Sequence, residues 1–358
     1  MGQPDESPRT IQDSINDCDR ALIDLLQQRQ SHVEQLVQSS EYSSAGQAST
    51  ASVQIDKVIA AKELSFESAR LYTELLRHAS SICLRSVTQL RAAYLGPEHS
   101  YSHLAAVKYF GDATEFAPVA SIPAVFEAVG RGDATTGLVP IENSTDGRIV
   151  DTLGMFVRQE MQICGEVLLP IHHNLLSKTS RSEIKEVHSK PQALSQCREW
   201  LAKNLPSATL HENSSTTAAA KLASEQAGVA AVASIEAGRQ YGLDVINASI
   251  EDNQNNVPRF AVLGRDEPAP SGDDKTSLLF QVNHQPGALA DVMNVFKQES
   301  LNLTWIESFP APKAPSEYLF FVELTGHRSQ PAVSKTIEIL SASTRRLDVL
   351  GSYPKASL

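Results

Sequence analysis

The residues best suited to chemistry lie in one stretch, Val139 to Leu153. An apolar run, Thr136 to Ile141, predicts a buried strand that ends in Glu142, Asn143, Ser144 and Gly147, and the apolar-periodic segment Ile149 to Val157 predicts a helix directly after it. A strand that hands amide, hydroxyl and glycine residues to a helix start suits a small anion. The first helical turn offers unpaired N–H groups, and the loop adds side-chain donors.

The elements that must position this stretch fall into three regions. From Ile11 to Val37 apolar residues recur at Ile11, Ile15, Cys18, Leu22, Leu25, Leu26, Val33 and Leu36, a helical stripe. The Ser/Ala/Gly-rich segment Ser39 to Ser52 reads as a loop. Helical periodicity resumes over Val53–Leu64 and from Phe66 to about Leu90, giving an all-α module over residues 1–90. At Ala92 the period changes. Short apolar runs (Ala92–Leu95, Thr136–Ile141, Val229–Ala233, Phe260–Leu263) alternate with helical stretches (Tyr101–Phe110, Ile122–Val129, Pro191–Asn204, Ser215–Gln226). Such alternation predicts an α/β region, 91–265, with mostly parallel sheets. Gly264–Asp274, with Pro268 and Pro270, reads as a linker. Residues 275–358 then follow the order βαββαβ, the ferredoxin-like α+β arrangement.

Composition narrows the partners. A formal net charge of -11 leaves no basic excess to displace counterions from nucleic acid. No apolar run approaches the roughly 20 residues that span a bilayer. The four cysteines, Cys18, Cys83, Cys164 and Cys197, form no CxxC or disulfide-like framework, which points to a reduced, cytoplasmic compartment. Neither His172 nor His173 reads as a metal ligand, since strand neighbours face opposite ways, and neither a metal nor a cofactor is expected.

Four further segments complete a pattern: Tyr94-Leu-Gly-Pro-Glu-His-Ser-Tyr-Ser-His-Leu-Ala-Ala106, Ile171-His-His-Asn-Leu-Leu176, His188-Ser-Lys-Pro-Gln-Ala-Leu-Ser-Gln-Cys197 and Asp252-Asn-Gln-Asn-Asn-Val-Pro-Arg-Phe260. With Val139–Leu153 they occur in the order seen in the prephenate dehydratase family, which the chain resembles. The C-terminal module looks like an ACT domain through Gly287-Ala-Leu289 and Trp305-Ile-Glu-Ser-Phe-Pro310. The N-terminal helices resemble the chorismate mutase domain of the bifunctional proteins of that family.

The resemblance implies a multidomain fold: a helical module, a two-lobed, periplasmic-binding-protein-like central domain with its site in the cleft, and a ferredoxin-like ACT domain. It implies loss of water and CO2 from prephenate to give phenylpyruvate, on the way to L-phenylalanine. Asn143 and Gln196 match the family's site amides, Ser100 keeps a hydroxyl in the first loop, and Ser215 and Thr216 open a second-lobe helix. Helix capping is the ordinary alternative for Ser100, Ser215 and Thr216. Glu142 and Ser144 flank Asn143 on the substrate side. Arg259 follows the family's catalytic position and could pair with a carboxylate.

Two departures fall at that site. The family's fourth motif runs Thr-Arg-Phe and its threonine is the candidate proton donor, whereas this chain has Pro258, with neither hydroxyl nor backbone N–H. His99 stands where the first loop usually has glycine, and an imidazole could supply the missing acid. If it does not, His99 is a bulkier loop residue and activity is reduced or absent; the alternative from another class is a non-catalytic, phenylalanine-responsive binding protein. An enzyme acting on arogenate, the aminated analogue, is the third reading.

The outer modules depart as well. The family's mutase site holds a dianion with cations, and Arg29 matches one of them. Gln12, Ser40, Val58 and Val87 replace an arginine, a lysine, a glutamate and a glutamine, and Lys57 replaces an arginine. Negligible mutase activity and a retained role in dimerisation are expected. In the ACT-like module Gly287, Ala288, Leu289, Glu307 and Ser308 match phenylalanine-binding positions, while Phe309 stands at an arginine. A homodimer or homotetramer with L-phenylalanine as effector follows from the resemblance.

Overall fold

The structure, a computed structural model, describes residues 10–38, 54–143, 147–311 and 314–356, without the side chains of 143, 147, 148 and 314–316. Ser144 and Ser40 therefore lie outside the described residues, as does the whole of the predicted 39–52 loop. Among the described residues no helix is long and apolar enough to cross a membrane.

The N-terminal helices Ile11–Gln38 and Phe66–Val87 pack side by side, with a short helix at 54–60 between them in sequence. The first buries none of its residues, and the second buries only Ala79, Ser80, Ser81 and Cys83 near its end. The predicted apolar stripe is thus real but open: Ile11, Ile15, Leu22, Leu25, Phe66, Leu71 and Leu75 are all exposed.

The central region forms two mixed sheets. The first runs in the order Glu115–Val119, Arg91–Leu95, Thr136–Asn143, Arg259–Gly264, Gln162–Leu168. Its first three strands are parallel, and Arg259–Gly264 is antiparallel to both neighbours. The second runs Asp244–Asn247, Asn174–Ser177, Val229–Ala233, Glu186–Ser189, Thr209–Glu212. Its last three strands are parallel, whereas Asn174–Ser177 is antiparallel to its neighbours on both sides. The expectation of mostly parallel sheets is corrected here. The chain passes between the lobes twice, and strands that arrive from, or return to, the other lobe run against the βαβ strands. The predicted helix Pro191–Asn204 is also two, Pro191–Gln196 and Arg198–Asn204, broken at Cys197.

The C-terminal sheet is fully antiparallel, in the order Leu303–Ala311, Ala314–Thr325, Asp274–Gln281, Arg346–Pro354. Helices Ala288–Gln298 and Pro331–Ser343 cover one face, where Leu278, Phe280, Val322 and Leu324 meet Val292, Phe296, Val333 and Leu340. Strand residues of the opposite parity point the other way. Leu279, Leu319, Phe321, Leu350 and Tyr353 join Phe126, Phe156 and Ile163 of the first lobe in one continuous core. Gly351 sits at this contact with φ +145°, and a Cβ there would lie 2.2 Å from the Ile163 carbonyl oxygen. Only glycine lets the two backbones approach so closely. The C-terminal module is a third layer on the first lobe, not a separate bead on a linker.

Candidate active site

The loops that carry the sequence motifs converge at one end of the first sheet. The segment 96–100 follows Arg91–Leu95, Glu142 and Asn143 end the neighbouring parallel strand, and Pro258 precedes the strand paired with it. From the second lobe come helix Pro191–Gln196, which ends in Gln196, and helix Thr216–Glu225, which Ser215 caps. Both helices follow C-terminal ends of parallel strands, where first-turn amides face ligands in open α/β folds.

Two crossings, 169–173 and 248–258, join the lobes and lie antiparallel. Leu169 N–H donates to the Pro258 carbonyl (3.2 Å), Ile171 N–H to Asn256 (2.9 Å) and Ile250 N–H to His173 (2.7 Å). Pro258 is buried and contributes its carbonyl to this ladder.

A polar relay closes the joint. The Tyr101 hydroxyl lies 3.0 Å from the His172 carbonyl and 3.1 Å from His173 Nδ1, and His173 Nε2 lies 2.8 Å from Gln196 Oε1. Asn256 Nδ2 donates to the same Gln196 oxygen at 3.4 Å. An amide oxygen only accepts, so His173 carries its proton on Nε2 and accepts at Nδ1. Burial pushes the His173 imidazole below its ordinary pKa, which agrees with a neutral ring. Burial likewise drives the Tyr101 hydroxyl well above its usual range, with Cys197, Glu236 and Glu251 adding to the rise, so it stays a donor. Glu251, itself buried, fixes both histidines: its oxygens lie 2.8 Å from His172 Nδ1 and from the His173 N–H. The relay orients the Gln196 amide from the opposite lobe. The sequence does not mark Tyr101, His173, Glu251 or Asn256 as site residues, although three of them stand inside quoted motifs.

The remaining predicted site residues divide. The Ser100 hydroxyl accepts from the His103 N–H (3.4 Å) and donates to the Leu95 carbonyl (3.4 Å). Ser215 accepts from the Ala218 N–H at 3.0 Å. Both cap helices, so the ordinary reading holds for their hydroxyls, and Thr216 is buried in the first turn behind Ser215. Asn143 ends its strand with backbone paired to Gly147. His99 holds a left-handed backbone, φ +62°. Its N–H donates to His103 Nδ1 at 3.1 Å, its ring meets that of His103 edge-on, and its Nε2 lies 3.8 Å from Glu98.

The structure pairs Arg259 and Glu142, both expected at the substrate, with each other. The Arg259 guanidinium is buried, 3.0 Å from Glu142, 3.0 Å from Glu166 and 2.6 Å from Glu323, and lies over the Trp305 ring at 4.8 Å. Lys275 completes the cluster, 2.9 Å from Glu166, and the Tyr353 hydroxyl donates to Glu323 at 3.3 Å. Burial alone would raise both carboxyls. Lys275 and Arg259 overcome it at Glu166, which falls below the ordinary range, whereas Glu323 stays raised. Arg259 thus bolts the catalytic end of the first sheet to the C-terminal sheet, and Glu142 is its partner.

In that C-terminal sheet, Gly287 opens a helix with φ +85°. Gly287, Ala288 and Leu289 line a cavity of about 330 Å³ with Glu317, Tyr318 and Phe320. Glu307 and Ser308 lie one strand away, paired with Phe321 and Phe320, outside this cavity. A second cavity, about 640 Å³, lies behind Tyr101, lined by Arg77, Leu104, Lys108, His172 and Ser234. It includes neither Gln196 nor Ser215, so its size does not mark the cleft.

Residues 92–268 match the family model described as prephenate dehydratase. A bifunctional chorismate mutase/prephenate dehydratase of Aquifex aeolicus is 41% identical over 285 residues, 79% of each chain. The protein of the same description from Pseudomonas aeruginosa is 40% identical over 294 residues, 82% of this chain and 80% of that one. The crystal structure of a prephenate dehydratase from Arthrobacter aurescens, in complex with L-Phe, superposes with a TM-score of 0.70 at 30% identity, covering 75% of this chain and 90% of that one.

Proposed function

The chain belongs to the prephenate dehydratase family and is a prephenate dehydratase, and from that premise we propose how its residues divide the reaction. Prephenate is a dianion that loses its ring carboxylate as CO2; the electron pair enters the ring and expels the 4-hydroxyl, which leaves as water once protonated. The site must therefore hold anionic groups and deliver one proton. With Arg259 committed to three carboxylates, the holding falls to neutral donors: the Asn143 and Ser144 side chains, the Gln196 amide and the first-turn N–H groups after Ser100 and Ser215. The observation that carries this reading is the relay from Tyr101 through His173 to Gln196. It holds an amide of the second lobe toward the first.

The proton does not come from residue 258. We assign it to His99, whose left-handed backbone sets the ring beside the capped start of helix Tyr101–Phe110. The family's threonine is then dispensable. Wild-type protein is expected to form phenylpyruvate from prephenate, and Pro258→Thr to change kcat by less than about tenfold. A gain of a hundredfold or more would mean that the natural cleft binds prephenate but barely turns it over, the one alternative that Pro258 supports.

The C-terminal sheet is proposed as an ACT domain that takes L-phenylalanine at Gly287–Leu289, with Glu307 and Ser308 contributed across a pair of such sheets. Strand Ala314–Thr325 runs from Tyr318 and Phe320 at the cavity to Glu323 on Arg259, a direct mechanical route to the cleft. The open apolar faces of the N-terminal helices suit a dimer in the cytoplasm. Their mutase chemistry is proposed to be lost. The replacements at Gln12, Ser40, Val58 and Val87 remove charge and polarity, and Arg29 donates to Ser80. Chorismate consumption above the uncatalysed rate would overturn this.

A further inference from the structure

On the second lobe, away from the Gln196 relay, two histidines and a carboxylate converge. Strands Glu186–Ser189 and Thr209–Glu212 are parallel neighbours with His188 directly opposite His211. Glu186, two residues before His188, shares its face. The imidazole rings stack with centroids 4.6 Å apart and planes 18° from parallel. His188 Nε2 lies 3.1 Å, and His211 Nε2 3.8 Å, from the same oxygen, Glu186 Oε2. One nitrogen or oxygen from each of the three lies within 4.8 Å of the others.

One contact separates this group from an ordinary ion pair. His188 Nδ1 lies 3.1 Å from Asn213 Oδ1, which only accepts, so Nδ1 is the donor and Nε2 is left to face Glu186. A histidine held in this way by its other nitrogen is oriented as metal-ligating histidines are. One cation shared by Glu186, His188 and His211 would satisfy all three at once.

We propose that Glu186, His188 and His211 bind one zinc-class divalent cation. Two imidazoles and a carboxylate suit zinc and its neighbours rather than magnesium or calcium. Tetrahedral zinc with bonds near 2.0–2.1 Å spaces its ligand atoms about 3.3 Å apart. The Glu186–His188 pair already has that spacing, whereas His211 must move about half an ångström toward Glu186 and turn out of the stack to bring its nitrogen equally close to His188. His188 is nearly buried, whereas Glu186 and His211 are 45% and 43% exposed at the side chain. That leaves the half-open fourth position to water. The ion would pin the edge strand Thr209–Glu212 to its neighbour, steadying the segment that leads through Asn213 to Ser215 and Thr216. Its role is structural, and the dehydration chemistry does not pass through it.

The test is calorimetric titration of the full chain, stripped with EDTA, with zinc chloride, alongside thermal unfolding with and without zinc. Wild type should bind one equivalent at this site and unfold at higher temperature with zinc present. His211→Ala and Glu186→Gln should each weaken that binding at least about tenfold and abolish the thermal shift, while unfolding normally in EDTA. Asn213→Ala should weaken it by about ten- to a hundredfold. The chain has ten histidines, so zinc could bind elsewhere. Equal titration and equal thermal shift in wild type and His211→Ala would overturn the proposal, as would no binding by wild type.

Discussion

The two joints of the central region are built from opposite materials. The first lobe meets the C-terminal sheet through a continuous apolar core, a glycine-tight backbone approach and a charge cluster in which Arg259, Glu166, Glu323 and Lys275 are buried. The two lobes meet each other through hydrogen bonds: the crossing ladder and the chain Tyr101–His173–Gln196. The contrast assigns mobility. A net hydrogen bond is worth about 1 kcal/mol, whereas stranding a charge in a buried ion pair costs about 3–5 kcal/mol. The first joint is a weld; the second is a latch held by individually weak bonds.

The comparison breaks first at the weld. Arg259→Ala takes the nearest cation from buried Glu323 and leaves Glu166 to Lys275 alone, and should lower unfolding free energy by about 3–5 kcal/mol in urea titration. A loss below about 1 kcal/mol would show that the cluster is solvated and the weld mainly apolar. At the latch, Tyr101→Phe should cost only about 1 kcal/mol of stability, yet loosen Gln196 and lower kcat/KM for prephenate about tenfold. Equal small effects on both quantities would make the hydroxyl merely structural.

The subtlest difference is one of pH. Burial lowers the pKa of His173, in the latch, and of His103, beside His99, each from an ordinary value of 6.5. The unfolded chain therefore binds protons in a range where the folded chain still refuses them. Stability is fully present above about 6.5 and is lost as pH falls from there toward the lowered folded values. Melting temperature followed from pH 7.5 to 5 should fall, and His173→Gln should flatten part of that slope. An unchanged slope in the variant would place the proton uptake outside the latch.

Much of the fold was legible because it is local. The helical stripe from Ile11 and the apolar runs at Ala92, Thr136, Val229 and Phe260 declare their elements through period alone. The βαββαβ order of residues 275–358 was equally plain. What failed to show was long-range. Arg259 reads as a ligand because its partners Glu166 and Glu323 are 93 and 64 residues away, each a lone carboxylate inside a short apolar run. That isolation was the available signal, since a charge amid Ile163–Leu168 or Phe320–Leu324 must find a partner. Gln196 could be picked out by its motif, but its contact with His173 arises from packing between distant segments. Strand parity put His172 and His173 on opposite faces; only packing showed that His173 faces Gln196.

The account stands or falls on where the proton comes from. Glycine suits φ +62° better than any other residue, so His99→Gly should be at least as stable as wild type, gaining up to about 1 kcal/mol. Its prephenate kcat should nonetheless fall by 10²-fold or more, the usual contribution of a positioned acid. Stability rising while turnover collapses is the predicted result. A His99→Gly protein that forms phenylpyruvate at the wild-type rate would contradict it.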